Sequence, residues 1–256
     1  MDYLSDMHMQ GVKNKNIIIT GASSGIGEVT AHLLASHGAN LMLAARREDR
    51  LKRISTEIAD QYKSRVIYQA TDVTNLAQVK AMTGAALENF GKIDMLINNA
   101  GIMLKSPLSL CETEDWDKTI DTNIKGVLYG VATVMPSMLA QNSGHIINIA
   151  STCGHKVFEG LAVYCATKHA IRAISESIRI ESDNKIRSTI VSPGKVHTEI
   201  IENNRQKKSY EALKKSWEEE KALDPRDAAN AILYAISQPD NVDVNEILIR
   251  SLYQPR

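Results

Sequence analysis

Short runs of aliphatic and β-branched residues alternate along the chain with longer segments in which apolar positions recur every three or four residues. Asn16-Ile17-Ile18-Ile19-Thr20 is a continuous apolar run that stops at Gly21, the pattern of a strand buried on both faces. Similar short runs at Leu41–Ala44, Val66–Tyr68, Ile93–Ile97, His145–Ile149, Ser188–Val191 and Glu246–Ile249 predict further strands. Between them the spacing predicts helices over Gly25–His37, Glu48–Tyr62, Asn75–Asn89, Glu114–Leu139, Leu161–Ser182 and Arg226–Ser237. Repeated strand–helix units imply an α/β fold, a doubly wound parallel sheet of about seven strands with helices on both faces and right-handed crossovers.

No low-complexity linker or short repeat divides the chain, so residues 15–256 read as one domain behind a flexible leader, residues 1–14. Met1–Gln10 carries Asp2 and Asp6 and lacks the basic region and apolar core of a secretory signal. Residues 200–223 interrupt the alternation; rich in Lys and Glu, they predict a mobile helical flap over the site.

Thirty Lys and Arg balance thirty Asp and Glu, so no global field favours nucleic acid or an anionic membrane. No apolar run approaches the roughly 18 residues that a membrane span needs. The three cysteines, Cys111, Cys153 and Cys165, are too few and too scattered for a disulfide framework, which fits a reducing cytoplasm. Neither they nor the seven histidines have metal-ligand spacing, so no metal is expected.

The first strand and helix are joined by Gly21-Ala22-Ser23-Ser24-Gly25-Ile26-Gly27. Glycines there let the backbone turn tightly and approach a phosphate, and the helix N-terminus offers it free N–H groups. Gly21, Ser23, Ser24, Gly25, Ile26 and Gly27 are therefore candidate dinucleotide contacts. Folds that bind NAD usually place a carboxylate at the end of the second strand to take the ribose 2′-OH. Ala45 holds that place here, followed by Arg46 and Arg47. A small residue leaves room for a 2′-phosphate and an arginine pairs with it, so the expected cofactor is NADP(H).

Tyr164 and Lys168 lie four residues apart on a predicted helix and share a face. A free phenol has a pKa of about 10, and bringing it near 7 takes roughly 4 kcal/mol of differential stabilisation. The Lys168 ammonium is expected to supply much of it. Ser151 ends the strand Ile146–Ala150, where the ligand crevice of an open α/β sheet lies, and its hydroxyl can bond a substrate oxygen. Tyr164 then gives a proton to the carbonyl oxygen in reduction and takes it back in oxidation.

These segments occur in one order: Thr20-Gly21 through Gly27, Asn98-Asn99-Ala100-Gly101, Asn123, Ser151, Tyr164 with Lys168, and Ser192-Pro193-Gly194. In that order, over roughly residues 14 to 250, the chain resembles the short-chain dehydrogenase/reductase family in its single-domain, Rossmann-fold branch. Its wider sequence is similar to NADP-dependent 3-hydroxy acid and serine dehydrogenases and carbonyl reductases. The resemblance implies that the Asp72 carboxylate accepts from the adenine amino group, with Val73 contributing backbone. By the same resemblance, Asn99, Ala100 and Gly101 run beside the adenosine, and Asn98 ties strands together. It also implies that Lys168 binds the nicotinamide ribose and that Asn123 holds a water linking Lys168 to solvent. Val196 and Thr198, beyond the Pro193-Gly194 turn, meet the nicotinamide carboxamide. Asp72 has a second reading, as a turn or cap before Asn75.

Family members are usually homotetramers or homodimers, through the long helix and the Tyr/Lys helix. Ala162, Ala166, Ala170 and Ala173 on the latter either permit that approach or face the sheet. His155 and His197 border the substrate cavity or are exposed loop residues. Lys105, Lys156, Lys195 and Arg205 rim the cleft and draw an acidic substrate, or are merely solvated. Ile102, Met103 and Leu104 are candidates for an apolar wall. The expected activity is hydride transfer between NADP(H) and a small-molecule carbonyl or secondary alcohol, foremost a 3-hydroxy acid. The alternatives are a ketoacyl-thioester or steroid reductase, or an NADP-sensing protein without turnover.

Overall fold

Seven strands form one parallel sheet in the computed structural model, which describes residues 11–204 and 207–254. They are β1 (Asn16–Thr20), β2 (Asn40–Ala45), β3 (Val66–Ala70), β4 (Met95–Asn98), β5 (Gly144–Ile149), β6 (Ile186–Pro193) and β7 (Glu246–Ile249). Their order is β3-β2-β1-β4-β5-β6-β7. The chain winds outward from β1 to β3, then returns to lay β4 on the other side of β1. That reversal opens a crevice at the carboxyl ends of β1 and β4, the usual ligand site of such sheets.

Consecutive residues of a strand point to opposite faces, so each central strand feeds two cores. Ile17, Ile19, Leu41, Leu43, Ile147 and Val191 pack on one face with α1 (Gly25–Ser36), α2 (Glu48–Tyr62) and α8 (Pro225–Ile236). Ile18, Met42, Leu96, Ile146 and Ile190 pack on the other with α3 (Leu76–Phe90), α5 (Gly126–Ala140) and α6 (Ala162–Glu181). The helix ends follow local chemistry. The Asn75 side chain accepts from Ala77 and Gln78 N–H at 3.0 and 3.2 Å to start α3, and Gly91 ends it in the left-handed region. Asp224 and Asp227 form a reciprocal capping box ahead of α8, with Pro225 in its first turn.

Three expectations change. Val12, assigned to the leader, is fully buried in the first core, and the Asn14 N–H donates to the Gly38 carbonyl at 2.8 Å. The packed domain therefore starts before residue 15, because Val12 finds an apolar seat beside α1 and α8. Residues 1–10 of the expected leader lie outside the described residues. The long helix over Glu114–Leu139 is α4 (Thr113–Ile120) and α5 joined by a π turn, Asp121–Lys125. The expected flap has more core than its charge suggests: Leu213 and Trp217 of α7 (Lys207–Glu219) are buried with Ile201. Their charged neighbours take the solvent face.

On α6 the alanine stripe resolves outward. Ala166 and Ala173 are exposed and Ala162 and Ala170 half-buried, while Tyr164, Lys168, Ile171 and Ser175 occupy the buried face.

Candidate active site

Thr20 closes β1 with its hydroxyl, which donates to the Ile97 carbonyl and accepts from the N–H groups of Asn99 and Ala100. Asn99 answers by donating from its amide to the carbonyls of Thr20 and Gly21 at 3.0 and 3.1 Å. The two strand ends at the switch point are thus stitched together, and the glycine loop rests on that seam. A Cβ on Gly21, whose φ is +66°, would lie 2.8 Å from Ala100 Cα; one on Gly27 would lie 2.4 Å from the Gly21 carbonyl oxygen. Gly21 therefore permits the turn, and Gly27 lets α1 close onto it.

Ser24 occupies the N-cap of α1, but its side chain makes no cap; it accepts from Arg47 at 2.7 Å instead. Among the described residues no side chain caps the first amides of α1, which leaves them open to an anion. Arg47 also donates to Ser23 Oγ and, at 2.6 Å, to Glu199. Arg46 is exposed beside it, on the same cavity wall as Ala45.

That cavity has a volume of about 1020 Å³ and runs along the carboxyl ends of the strands. Of the predicted cofactor residues, Gly21, Ser23, Ser24, Gly25, Ile26, Arg46, Arg47, Asp72, Val73, Asn99, Ala100 and Gly101 line it. So do Tyr164, Lys168, Pro193, Gly194, Val196 and Thr198. Gly27 does not; it packs beneath the loop. Asp72 also fills its turn reading: its carboxylate accepts from the N–H and hydroxyl of Thr74 at 2.9 and 2.8 Å. Asn98 ties β4 to β5 by donating to Asn148, which donates on to Ser175 of α6.

Tyr164 sits in the first turn of α6 and Lys168 one turn on. Both are buried, and both face the cavity together with Ser151. Ser151 caps the single turn Thr152–Gly154 by accepting from Cys153 N–H at 3.1 Å. Lys168 Nζ donates to the Ile149 carbonyl at 2.7 Å and lies 5.7 Å from the centre of the Tyr164 ring. Burial pushes the Lys168 amine down to about 8. Burial also holds the Tyr164 phenol above its ordinary range, with the Ser151 hydroxyl pulling weakly the other way. The sequence leads to the opposite expectation, a phenol acidified by Lys168. Desolvation dominates because Tyr164 is buried in a largely apolar cluster that includes Met103, Cys153, Leu161 and Trp217. The free chain thus keeps the Tyr164 phenol protonated.

Asn123 stands behind the cavity rather than on its wall. Its side chain accepts from Ile102 N–H at 2.9 Å and donates to the Ile102 carbonyl and Thr167 Oγ1 at 3.0 and 3.1 Å. The π turn sets this geometry, which pins the Gly101–Ile102 turn to α6 one residue from Lys168.

The substrate end is apolar. Met103 and Leu161 join Tyr164, Ile201, Leu213 and Trp217 in one cluster, with Ile102, Leu104 and Phe158 also on the wall. Lys105 and Lys195 reach the cavity wall; Lys156, His155 and His197 do not. Lys195 donates to Ser216 of α7 at 2.5 Å and pairs with the Glu220 carboxylate, which balances its charge. His155 bonds Glu246 at the start of β7 at 2.6 Å, and His197 is exposed. Arg205 lies outside the described residues. Sequence reasoning missed Glu199, Phe158 and Gln254 on the wall. Only the residue after Thr198 carried any signal, as a charge directly beyond a cofactor motif.

The residues fit a dinucleotide: a glycine cradle closed to any Cβ, a helix start free of side-chain caps, arginines at the second strand, and room for both halves of the molecule. The model of the family described as short chain dehydrogenase matches residues 15–209. An uncharacterized oxidoreductase of Staphylococcus saprophyticus is 47% identical over 245 residues, covering 94% of this chain and 98% of its own. An alcohol dehydrogenase from Thermococcus sibiricus, solved with 5-hydroxy-NADP, superposes with a TM-score of 0.86 at 30% identity, covering 95% of this chain and 99% of its own. The closed form of a serine dehydrogenase with NADP+ gives 0.83 at 32% identity, covering 91% of this chain and 93% of its own. The chain belongs to the short-chain dehydrogenase/reductase family. It is an oxidoreductase of the alcohol/carbonyl class.

Proposed function

We propose that this protein is an NADP(H)-dependent carbonyl reductase and alcohol dehydrogenase, with small 3-hydroxy acids and their oxo counterparts as its leading substrate class. One observation carries the reading. Tyr164, Ser151 and Lys168 share a cavity with the glycine loop and the Ala45–Arg47 corner, so a proton donor and a dinucleotide site adjoin.

The cofactor, when bound, supplies the hydride and accepts it back. Everything else falls to the chain. Gly21 and the first turn of α1 take the pyrophosphate. Arg46 takes the 2′-phosphate, since Ala45 offers no repelling carboxylate. Lys168, held at its carbonyl anchor, orients the ribose beside Tyr164. Ser151 donates to the carbonyl oxygen of the substrate and stabilises the charge that grows there. Tyr164 delivers its proton to that same oxygen, and in oxidation the path reverses. The apolar cluster around Tyr164 excludes water from the exchange.

The acid preference rests on charge. Lys195 is neutralised by Glu220, whereas Lys105 has no ion-pair partner among the described residues. A carboxylate entering the apolar end would pair with Lys105. A sensor without turnover would need no buried proton donor at this point.

A screen of NADPH and NADH oxidation over oxo acids, keto esters, aldehydes and cyclic ketones tests the reading. Turnover with NADPH, fastest for an oxo acid, is the expected result. Turnover of ketones with NADH alone would overturn both the cofactor and the substrate class.

A further inference from the structure

Glu199 opens the segment that leads into the flap, directly after Thr198. Its carboxylate accepts from Arg47 and from Arg50, each at 2.6 Å. Arg47 is meanwhile held by Ser23 and Ser24 of the glycine loop. One carboxylate from a remote stretch of sequence therefore occupies the two guanidinium groups next to the phosphate corner. The Thr198 side chain packs against the loop beside it, where a Cβ on Gly25 would come within 2.9 Å. The contact joins the flap to the cofactor end of the cavity rather than to the substrate end. Its hydrogen bonds from Arg47, and then from Arg50, hold the Glu199 carboxyl below the usual carboxylate range, so it is charged at neutral pH.

We propose that Glu199 sets the protein's discrimination between a 2′-phosphorylated and a 2′-hydroxyl adenosine, by competing with the phosphate for Arg47. The inference rests on the NADP(H) reading and deepens it. Arg46, Arg47 and Arg50 carry three positive charges, and Glu199 removes one where a 2′-phosphate dianion would arrive. Binding of that dianion brings like charge to Glu199 and recruits Arg47. The flap then loses its tether at residue 199. Phosphate binding and flap release are thereby linked, and by reciprocity a docked flap weakens phosphate binding. A 2′-hydroxyl neither repels Glu199 nor draws Arg47, so a cofactor without the phosphate leaves the tether intact.

The test uses adenosine fragments that cannot react. Calorimetry gives the Kd of 2′,5′-ADP and of 5′-AMP for the wild type, Glu199→Gln and Glu199→Asp. Glu199→Gln should bind 2′,5′-ADP about three- to tenfold tighter, the scale of one partly exposed charge contact, with 5′-AMP unchanged. Glu199→Asp, which keeps the charge, should stay near wild type. Hydrogen exchange should show residues 207–219 loosening when the wild type binds 2′,5′-ADP, and not with 5′-AMP. A wild-type ratio of the two affinities that Glu199→Gln leaves unchanged, or equal weakening of both, would overturn the role of Glu199. A wild type that prefers 5′-AMP would instead sink the NADP(H) reading, which separates the two failures.

Discussion

The two ends of the cavity are built differently. At the cofactor end, the wall is made of residues within a few positions of a strand terminus, and backbone groups do much of the work: Thr20, Asn99 and Gly21 form one hydrogen-bonded seam. At the substrate end, Met103, Leu161 and the α7 pair Leu213 and Trp217 come from three separate stretches of sequence and meet mainly through apolar contact. The first is fixed by backbone geometry and tolerates few side chains. The second is fixed mainly by shape, with few hydrogen bonds such as that from the Trp217 indole N–H to the Val196 carbonyl at 2.9 Å, and loop substitutions can change it without disturbing the sheet. A fold of this kind keeps its cofactor chemistry while its substrate drifts.

Tyr164 stands on the border between the two ends, so its loss is the most severe way to test whether they act separately. Tyr164→Phe removes one oxygen from a buried residue and keeps the ring. Turnover should fall by about 10²–10⁴, the usual range for a lost acid–base group, while the Kd for NADPH holds. Stopped-flow turnover and fluorescence titration of NADPH measure the two quantities. A fall in both together would mean that the ends are not separable.

Lys168 allows a second, graded test. Burial lowers its amine to about 8, so the cation proposed to fix the ribose is present below that pH and lost above it. The reductive kcat/KM, which reports the free enzyme, should therefore fall by about tenfold per pH unit once the pH passes that value. Tyr164 contributes no limb in this range, because burial moves its phenol the other way. A profile flat to pH 10 would place the ammonium outside the chemistry. A matching loss of NADPH affinity would assign Lys168 to the cofactor end.

The contrast between the ends also explains what was legible in advance. The strands, the helix over Glu48–Tyr62 and the glycine loop were readable because each depends on neighbours within a few residues. Tyr164 and Lys168 were readable for the same reason, being one helical turn apart. The direction of the phenol shift was not, since the burial of Tyr164 in the cluster with Met103 and Trp217 depends on where distant segments come to rest. Glu199 was hidden likewise: it meets Arg47 across 152 positions of sequence. Val12 was misplaced because a single apolar residue before β1 carries no periodic signal.

The smallest and most pointed test pairs one substitution at each end. Gly27→Ala places a Cβ within 2.4 Å of the Gly21 carbonyl oxygen, so α1 must move away from the glycine loop. Overpacking of this kind costs about 1–3 kcal/mol, which should appear as weaker NADPH binding with the order of preference among substrates kept. Leu213→Ala trims the buried wall contributed by α7 and leaves every strand end intact. A missing stretch of hydrocarbon wall is worth about 1–3 kcal/mol to substrate selection, so KM should rise for the bulkier ketones while NADPH binding does not weaken. Kinetics for a short and a long oxo acid, run beside NADPH titrations, give all four numbers. If Leu213→Ala weakens NADPH as much as it raises KM, the flap supports the cofactor as well as the substrate, and the division between the ends lies on the far side of α7.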